Sequence, residues 1–569
     1  MRDRARPCLS RRSTAVFLLR WGLCWTLCAA CMVRAQDHAT GDWRDWEAAK
    51  IRLHVARAAD LRRHYYAGPS LSAAVAAEQE EVRQCLDNLK LGRRPPQAGT
   101  RIEAYISEID DSPQPFWSYV PHGIATTSSL PLLVVLHGYD PYVSLATAQS
   151  FPDHFTNLAQ RAGVLLVSPF GRGNTDFQHI GEQDVLRVID EMRLRHGADT
   201  RRVVLSGISM GGLGTWCIGA RWADRFNALL VLCGRGDFYV WHGLEPQQLP
   251  GWQRELVDTQ FATRYLERLL YTPVMATHGR LDDVVSYEQG RFPPAELIRL
   301  GARKTSFITF TYAGHDVFAH SFSYQPLLEF LGGALRQINA KPPRRAGFRP
   351  GTTGSRLQDA FLDPFIFIGG DDGGDGTAVT NLRERAAEWQ RFAFARPRMM
   401  LETSLDIAKA ARHNLFVFGE PETSPLARAI LEAGGVDVNE DEFGIAGRRL
   451  PRQGNGIWFT GRNPFNANLT AVVQSGLAWG AGLPDNHRYD RIPDVIVFTD
   501  DTDRWGCNVA LAAGFISSEG KVRWSDPAFT EAIRRPPDPP PMWMYNDDGL
   551  GRWSGVGDGD GEGQDNAGW

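Results

Sequence analysis

The sequence lacks the cysteine pattern of a disulfide scaffold or a structural zinc site. It has eight cysteines in 569 residues, and half of them lie within the first 31 positions. The other four are scattered and share no C-x-x-C spacing: Cys85, Cys217, Cys233 and Cys507. Cys217 and Cys233 fall on neighbouring predicted elements. They are either two buried free thiols or, in an oxidising compartment, a disulfide bridge. No His/Cys/Asp cluster has ligand spacing, so no metal or other cofactor is implied.

An excess of charge of one sign is also missing. Lys and Arg number 62 against 66 Asp and Glu, giving a net charge of -4 and a pI near 6.4. A nucleic-acid-binding protein typically carries a basic surplus, so this balance argues against that class. Beyond the N-terminus, no segment is long and apolar enough to cross a bilayer.

The N-terminus has the pattern of a secretory signal over residues 1–35. Arginines dominate residues 2–12, an apolar stretch follows over 21–33, and Val33-Arg34-Ala35 fits a small-residue cleavage site. The alternative is an uncleaved membrane anchor, but Arg20 interrupts the apolar stretch and leaves it short for a span. We therefore expect a secreted or periplasmic protein.

The rest of the chain is predicted to contain a helical segment, an α/β domain, a linker, a second mixed α/β domain and a disordered tail. The predicted boundaries are 36–101, 102–340, 341–355, 356–534 and 535–569. Within the first of these, apolar residues recur at helical spacing over 47–91, and Gly68-Pro69 divides the pattern into a helical hairpin.

Short apolar strands alternate with helices through residues 102–340, which indicates a mostly parallel, doubly wound sheet. Strands are predicted at 116–120, 132–136, 164–167, 203–205, 228–233, 274–277 and 305–311, with helices near 182–194 and 327–338.

The organising motif is Gly207-Ile208-Ser209-Met210-Gly211, which fits G-x-S-x-G. An apolar strand precedes it and a helix-compatible segment follows, as in a sharp turn that exposes one hydroxyl at the top of a sheet. Glycine is expected at both ends because a Cβ there would collide with the neighbouring strand and helix. Ser209 is therefore the candidate nucleophile.

An acyl-transfer serine needs a base and an acid, and in this strand–helix arrangement the acid follows the serine and the histidine comes last. Asp282, just after a predicted strand, is the candidate acid, and Asp283 is the reserve. His315 is the candidate base because it lies in a glycine-flanked loop after the last strand. His320 is the weaker candidate, and His278 is expected to support the site.

Two backbone N–H groups are needed for the oxyanion that develops during acyl transfer. Met210, directly after the nucleophile, and Tyr139, in the loop after the strand ending at Leu136, are the candidates. Arg172 and Phe177 either line the acyl pocket or are a surface arginine and a core phenylalanine.

Five strings, in this order and spacing, resemble the α/β-hydrolase catalytic domain of the prolyl oligopeptidase family and the related feruloyl and polyhydroxyalkanoate esterase-type secreted enzymes. They are LHGY at 136–139, PFGRGNTDF at 169–177, VVLSGISMGG at 203–212, THGRLDD at 277–283 and AGHDVF at 313–318. The resemblance implies an α/β-hydrolase fold and a triad of Ser209, Asp282 and His315. The segment before Ile102 is too short for the β-propeller of full-length prolyl oligopeptidases.

The C-terminal region, 356–534, has mixed α/β character, and its NLFVFGEP string resembles a domain attached to some bacterial secreted hydrolases. The tail over 535–569 is proline-rich, then glycine-rich and acidic, as in disordered segments. Acidic residues at 558, 560 and 562 resemble a calcium loop, but Trp569 occupies the position where the bidentate glutamate is needed.

Two functional hypotheses from different classes follow. The first is a secreted serine hydrolase that cleaves ester or peptide bonds through an acyl-enzyme, with a small ester, an acylated sugar or a short peptide as substrate. The second is a non-catalytic binding or scaffold protein that uses its C-terminal domain to attach to a polymer or partner.

Overall fold

The computed structural model describes residues 42–64, 68–124, 129–336, 338, 354–370, 376–480, 482–503 and 506–525. The predicted signal, most of the predicted linker, the tail and its calcium-like acidic stretch lie outside these residues. The described residues divide into two compact units. One comprises those up to Gln97 with Glu103–Tyr105, and the other comprises Ala98–Ile102 and those from Ile106 onward.

The first unit contains the predicted helical hairpin. Helix α1 spans Trp43–His64 and helix α2 spans Pro69–Leu91. Buried His54 lies between them, with its Nδ1 2.7 Å from Oε2 of Glu78, which fixes one helix against the other.

An eight-stranded sheet has the order β1-β2-β4-β3-β5-β6-β7-β8. The strands are β1 Gly99–Ile106, β2 Pro113–Val120, β3 Leu130–Leu136, β4 Leu165–Pro169, β5 Ala198–Ile208, β6 Ala228–Leu232, β7 Val274–Gly279 and β8 Thr305–Phe310. Strand β2 runs antiparallel to β4, and the pairings from β4 through β8 are parallel. The prediction of an α/β-hydrolase fold is confirmed.

Helices cover both faces of this sheet. They are α3 Asp153–Ala162, α4 Ile180–His196, α5 Met210–Arg221, α6 Phe238–His242, α7 Gly251–Gln260, α8 Tyr287–Arg299, α9 Val317–Ser321 and α10 Gln325–Arg336. Successive residues of β6 point to opposite faces. Leu230 packs in a cluster with residues of α3 and α10, while Leu229 contacts Gly219 of α5.

The C-terminal region forms a second eight-stranded sheet in the order β10-β9-β11-β16-β15-β17-β18-β19, and a small three-stranded sheet in the order β12-β13-β14. Its strands are β9 Phe365–Gly369, β10 Arg398–Leu401, β11 Asn414–Phe418, β12 Val436–Val438, β13 Glu442–Ile445, β14 Arg448–Pro451, β15 Gly456–Asn463, β16 Asn466–Gly476, β17 Val495–Thr502, β18 Asn508–Ile516 and β19 Val522–Trp524. Its helices are α11 Arg356–Asp359, α12 Thr377–Ala393, α13 Ile407–Ala410 and α14 Pro425–Ala433. The mixed α/β prediction for this region is confirmed.

One buried hydrophobic cluster is shared by the C-terminal region and the region of the first eight-stranded sheet. Ile109, Ile180 and Trp252 belong to the same buried cluster as Trp389 and Phe416 of the C-terminal region. Buried apolar area is the main source of stability, so these two regions stabilise each other.

Candidate active site

Ser209 occupies the sharp turn between β5 and α5. Its backbone has φ 56° and ψ -113°, a strained conformation for a residue with a side chain. A Cβ at Gly207 would lie 2.0 Å from the carbonyl oxygen of Gly211, and one at Gly211 would lie 2.2 Å from that of Leu136. The turn is therefore closed so tightly that only glycine fits on either side of the serine.

His315 and Asp282 are hydrogen-bonded to each other at the carboxyl edge of the same sheet. Nδ1 of His315 lies 2.8 Å from Oδ2 and 3.1 Å from Oδ1 of Asp282. The carboxylate is fully buried, and the His315 side chain keeps 25% of its surface exposed. An imidazole held this way presents Nε2 outward as a base. Asp283, the reserve acid, is exposed.

The Asp282 carboxylate is held ionised by its donors. Burial would raise the pKa of Asp282, but hydrogen bonds from His278, His315 and the Val285 N–H outweigh it and hold that pKa well below its usual range. Val284 and Val285 donate their backbone N–H groups to Oδ1 at 3.0 and 2.8 Å. The acid is thus fixed in both charge and orientation.

His278 contacts the acid from the other side. Its Nε2 lies 3.2 Å from Oδ2 of Asp282 and 2.8 Å from the carbonyl oxygen of Val285. A carbonyl only accepts, so Nε2 carries a hydrogen, which it donates to the Val285 carbonyl and shares with the carboxylate. A Cβ at Gly290 would lie 2.0 Å from Nδ1, so the ring is enclosed. His320 has a 56% exposed side chain and lies 3.7 Å from Asp316.

The loops that carry Ser209 and His315 share a small apolar cluster. Ile208 packs against Cys233, Ala313 and Val317, and the last two flank His315 by two residues on each side. The Ser209 N–H donates to the carbonyl oxygen at the end of β6 at 3.0 Å. The structure therefore brings together the turn and the histidine loop, which lie about a hundred residues apart in the sequence.

The candidate oxyanion donors also lie at this turn. A Cβ at Gly138 would lie 3.8 Å from Cβ of Ser209, which places the loop bearing Tyr139 beside the serine. Met210 is the first residue of α5, so its N–H lies in the first turn of a helix, where no intrahelical acceptor is available and partial positive charge accumulates. The Tyr139 side chain is about half exposed.

Arg172 and Phe177 do not fit the predicted pocket-lining role, because both side chains are fully buried. The Arg172 guanidinium lies 2.7 Å from Oδ2 of Asp110 and 3.0 Å from Oδ2 of Asp184. The Phe177 ring lies edge-on to the His137 ring at 5.0 Å. Arg172 therefore forms internal ion pairs and is not a surface residue, and Phe177 is a core residue that packs against His137.

Sequence reasoning missed Asn174, which binds the backbone of Asp140 with both ends of its amide. Oδ1 accepts the Asp140 N–H at 3.1 Å, and Nδ2 donates to the Asp140 carbonyl at 2.7 Å. Its position in a glycine-rich stretch after β4 was the available signal, because glycine-rich turns at strand ends often carry functional side chains.

A cavity of about 620 Å³ opens between the segment after β6 and helix α8. Its walls include Asp237, Tyr239, Asp258, Arg264 and Phe292. The Tyr239 hydroxyl donates to Asp258 at 2.8 Å. Arg264 lies 3.6 Å from the same carboxylate, so these charges are paired with each other.

The two cysteines of this region are free thiols. Cys217 and Cys233 are both buried and unbridged. Burial raises the pKa of the Cys217 thiol to about 12, which leaves it un-ionised and unreactive at neutral pH.

Within the described part of the chain, no group of three or more His, Cys, Asp or Glu side chains is arranged to hold a metal ion. Over the same residues, no helix combines the length and apolarity that a membrane span requires.

Residues 171–337 match the prolyl oligopeptidase family. This part of the chain is similar to that family. The predicted resemblance to that family is thereby confirmed.

A relative of this chain is a bifunctional acetylxylan esterase/xylanase from Neocallimastix patriciarum, 30% identical over 175 residues. The match covers 30% of this chain and 22% of that relative's length. The chain thus aligns with less than a quarter of the curated relative.

Two solved structures are partly similar to this chain. A fluorophosphonate-binding serine hydrolase F from Staphylococcus aureus is 15% identical, with a TM-score of 0.34, and the match covers 42% of this chain and 100% of that one. An acylaminoacyl peptidase from Pyrococcus horikoshii is 17% identical, with a TM-score of 0.33, and the match covers 47% of this chain and 45% of that one. Overlap at this level is partial and does not bear on substrate.

Proposed function

We propose that this protein is a secreted or periplasmic serine hydrolase that cleaves ester bonds. Ser209 is the nucleophile, His315 the general base and acid, and Asp282 the group that orients His315. The observation that carries the proposal is the 2.8 Å hydrogen bond between Asp282 and His315, in a loop packed against the turn that bears Ser209.

The geometry supports a two-step acyl transfer. His315 takes the Ser209 hydroxyl proton as the oxygen attacks the ester carbonyl, and the Met210 and Tyr139 N–H groups bind the resulting oxyanion. The C–O bond to the leaving alkoxide breaks, and His315 returns the proton to it. Water then attacks the acyl-enzyme by the same route, releasing the carboxylic acid and restoring Ser209.

One observation favours an ester over a peptide bond. The curated relative is named as an acetylxylan esterase/xylanase. We therefore favour a small acyl group on a sugar as the substrate class.

The alternative within the same chemistry is a short peptide, which the prolyl oligopeptidase family match supports. The catalytic residues are the same for both bonds, so the two substrates differ only in the leaving group and in the contacts that bind it.

Secretion is proposed from the sequence of residues 1–35, which has a basic start, an apolar stretch and a small-residue cleavage site. N-terminal sequencing of protein recovered from the periplasm or medium should start close to residue 36, and an intact first residue there would contradict it.

The test compares aryl acetates and acetylated xylo-oligosaccharides with aminoacyl anilides, using wild type, Ser209→Ala and Ser323→Ala. Ser323 lies in an exposed turn, so its alanine variant controls for loss of a hydroxyl. We expect ester turnover by wild type and Ser323→Ala, and a loss of at least about 10⁴-fold in Ser209→Ala. Unchanged turnover in Ser209→Ala would overturn the proposal, and turnover of anilides alone would support the peptide alternative. Polymer binding by a wild type without any turnover would favour the scaffold hypothesis.

A further inference from the structure

We infer that the C-terminal region is part of the catalytic apparatus, because it holds the oxyanion loop in place through Asn486 and Phe394. The oxyanion loop is residues 137–140, and the segment between it and the C-terminal region, residues 170–174, is termed the bridging segment. This inference rests on the proposed function, and it assigns positioning residues rather than catalytic ones.

The first step is the contact between the bridging segment and the oxyanion loop. Asn174 pairs with both backbone groups of Asp140, at 3.1 and 2.7 Å, one residue beyond the proposed donor Tyr139. The carbonyl oxygen of Phe170, at the other end of the segment, lies 3.0 Å from Nε2 of His137. The bridging segment therefore holds the oxyanion loop at both ends.

The second step is the contact between the C-terminal region and the bridging segment. Asn486 donates its amide to the carbonyl oxygen of Asn174 at 3.1 Å. The Phe394 ring lies edge-on to the Phe170 ring at 5.2 Å and covers Gly173, where a Cβ would lie 2.6 Å from the ring. Gly173 has φ 71°, so a side chain there would be both strained and obstructed.

The third step is an ion pair that fixes the centre of the bridging segment. The Arg172 guanidinium, besides binding Asp110 and Asp184, donates to the carbonyl oxygen of Ala393 at 3.2 Å. Ala393 is the last residue of α12, and a cation is favourable at the carboxyl end of a helix. Trp389, one turn earlier, donates its indole N–H to Asp110 at 3.2 Å.

These contacts form one continuous path from α12 and residue 486 to the backbone N–H groups beside Ser209. An oxyanion donor accelerates the reaction only when it is fixed before the charge develops. A displacement of about 1 Å in such a group lowers the rate about 100-fold. Releasing the bridging segment should therefore lower kcat while leaving substrate binding nearly unchanged.

The test uses Asn486→Ala and Phe394→Leu in the full chain, with Arg523→Ala as the matched control. Arg523 also joins the C-terminal region to the catalytic region, through a 2.7 Å ion pair with Glu255, but it contacts neither the bridging segment nor the oxyanion loop. We expect kcat for an aryl acetate to fall about tenfold in the first two variants with KM within twofold of wild type. Arg523→Ala should retain the wild-type kcat.

A structural role alone would lower the melting temperature without separating kcat from KM, so both are measured on each variant. Hydrogen exchange at the amides of residues 138–140 should rise in Asn486→Ala and Phe394→Leu and remain at the wild-type level in the control. If kcat and exchange in both test variants match the Arg523→Ala control, the inference is overturned.

Asn174→Ala keeps the test decisive if a variant in the C-terminal region fails to fold, because it breaks the path on the catalytic side. We expect a loss of about 100-fold in kcat, and a wild-type kcat would overturn the inference. Failure of the proposed function is a different outcome, since wild-type protein would then turn over no ester at all.

Discussion

Oδ2 of Asp282 lies 2.8 Å from Nδ1 of His315. The carboxylate accepts the imidazole hydrogen and thereby selects the tautomer whose Nε2 accepts a proton from serine. Asp282→Asn replaces this acceptor with an amide that also donates, so we expect kcat for ester hydrolysis to fall about 10⁴-fold. Asp283→Asn, at the exposed neighbouring position, is the control and should retain wild-type kcat. Equal losses in the two variants would reject the assignment of the acid.

The glycines that close the Ser209 turn give a prediction on folding. Gly207→Ala introduces a Cβ 2.0 Å from the carbonyl oxygen of Gly211, so neighbouring backbone must shift. We expect loss of ester turnover and destabilisation of about 3 kcal/mol or more, measured by chemical denaturation. Gly333→Ala, in helix α10 with open space around it, should instead stabilise by about 0.5 to 1 kcal/mol.

Because the Arg172 ion pair is buried, we expect Arg172→Ala to destabilise the protein more than the substitution of an exposed arginine does. Arg172→Ala leaves Asp110 and Asp184 buried without their cation, which should lower the free energy of unfolding by about 3 to 5 kcal/mol. Arg201→Ala removes an arginine whose side chain is 68% exposed and which pairs with Asp199. That change should cost far less than Arg172→Ala, because solvent screens the pair. Urea denaturation of both variants measures the difference, and equal effects would contradict it.

His179 predicts how stability depends on pH. Burial lowers its pKa to about 4, against an ordinary value of about 6.5 in the unfolded chain. The unfolded state thus binds a proton that the folded state does not, so stability is full above pH 6.5 and is lost as the pH falls toward 4. Asp490, 3.7 Å away, favours the charged form, while the facing cations Arg221 and Arg491 oppose it.

The free energy of unfolding of the wild type should decrease between pH 7.5 and pH 4.5. We expect this decrease to be smaller by about 2 to 3 kcal/mol in His179→Gln. The same substitution at exposed His320 is the control. Urea denaturation at the two pH values measures it, and an unchanged decrease in His179→Gln would show that another group causes the acid sensitivity.

Local sequence patterns predict the elements of the fold whose structure depends on residues close together in the sequence. Helix α14 begins at Pro425 because the Ser424 hydroxyl accepts the Ala427 N–H and proline suits the first turn. The buried strands β3, β6 and β7 follow from short apolar runs bounded by turn residues. The G-x-S-x-G turn followed from its glycines.

Contacts between distant residues were not predictable in the same way. Arg172 was expected at the surface or in a pocket, yet its partners lie 62 residues upstream at Asp110 and 221 residues downstream at Ala393. Neither sequence periodicity nor composition predicts such a pairing, because the pairing depends on how two sheets pack. For the same reason the sequence separated a C-terminal domain, while the structure shows Trp389 and Trp252 in one core.

The assignment of Ser209 as nucleophile is tested most directly by mass spectrometry of protein labelled with a fluorophosphonate. Such a probe bonds covalently to a serine that an adjacent base activates. The account predicts one adduct per chain, located by peptide mapping on Ser209, and its absence in Ser209→Ala. An adduct on another residue, or full ester turnover in protein that carries the Ser209 adduct, would contradict it.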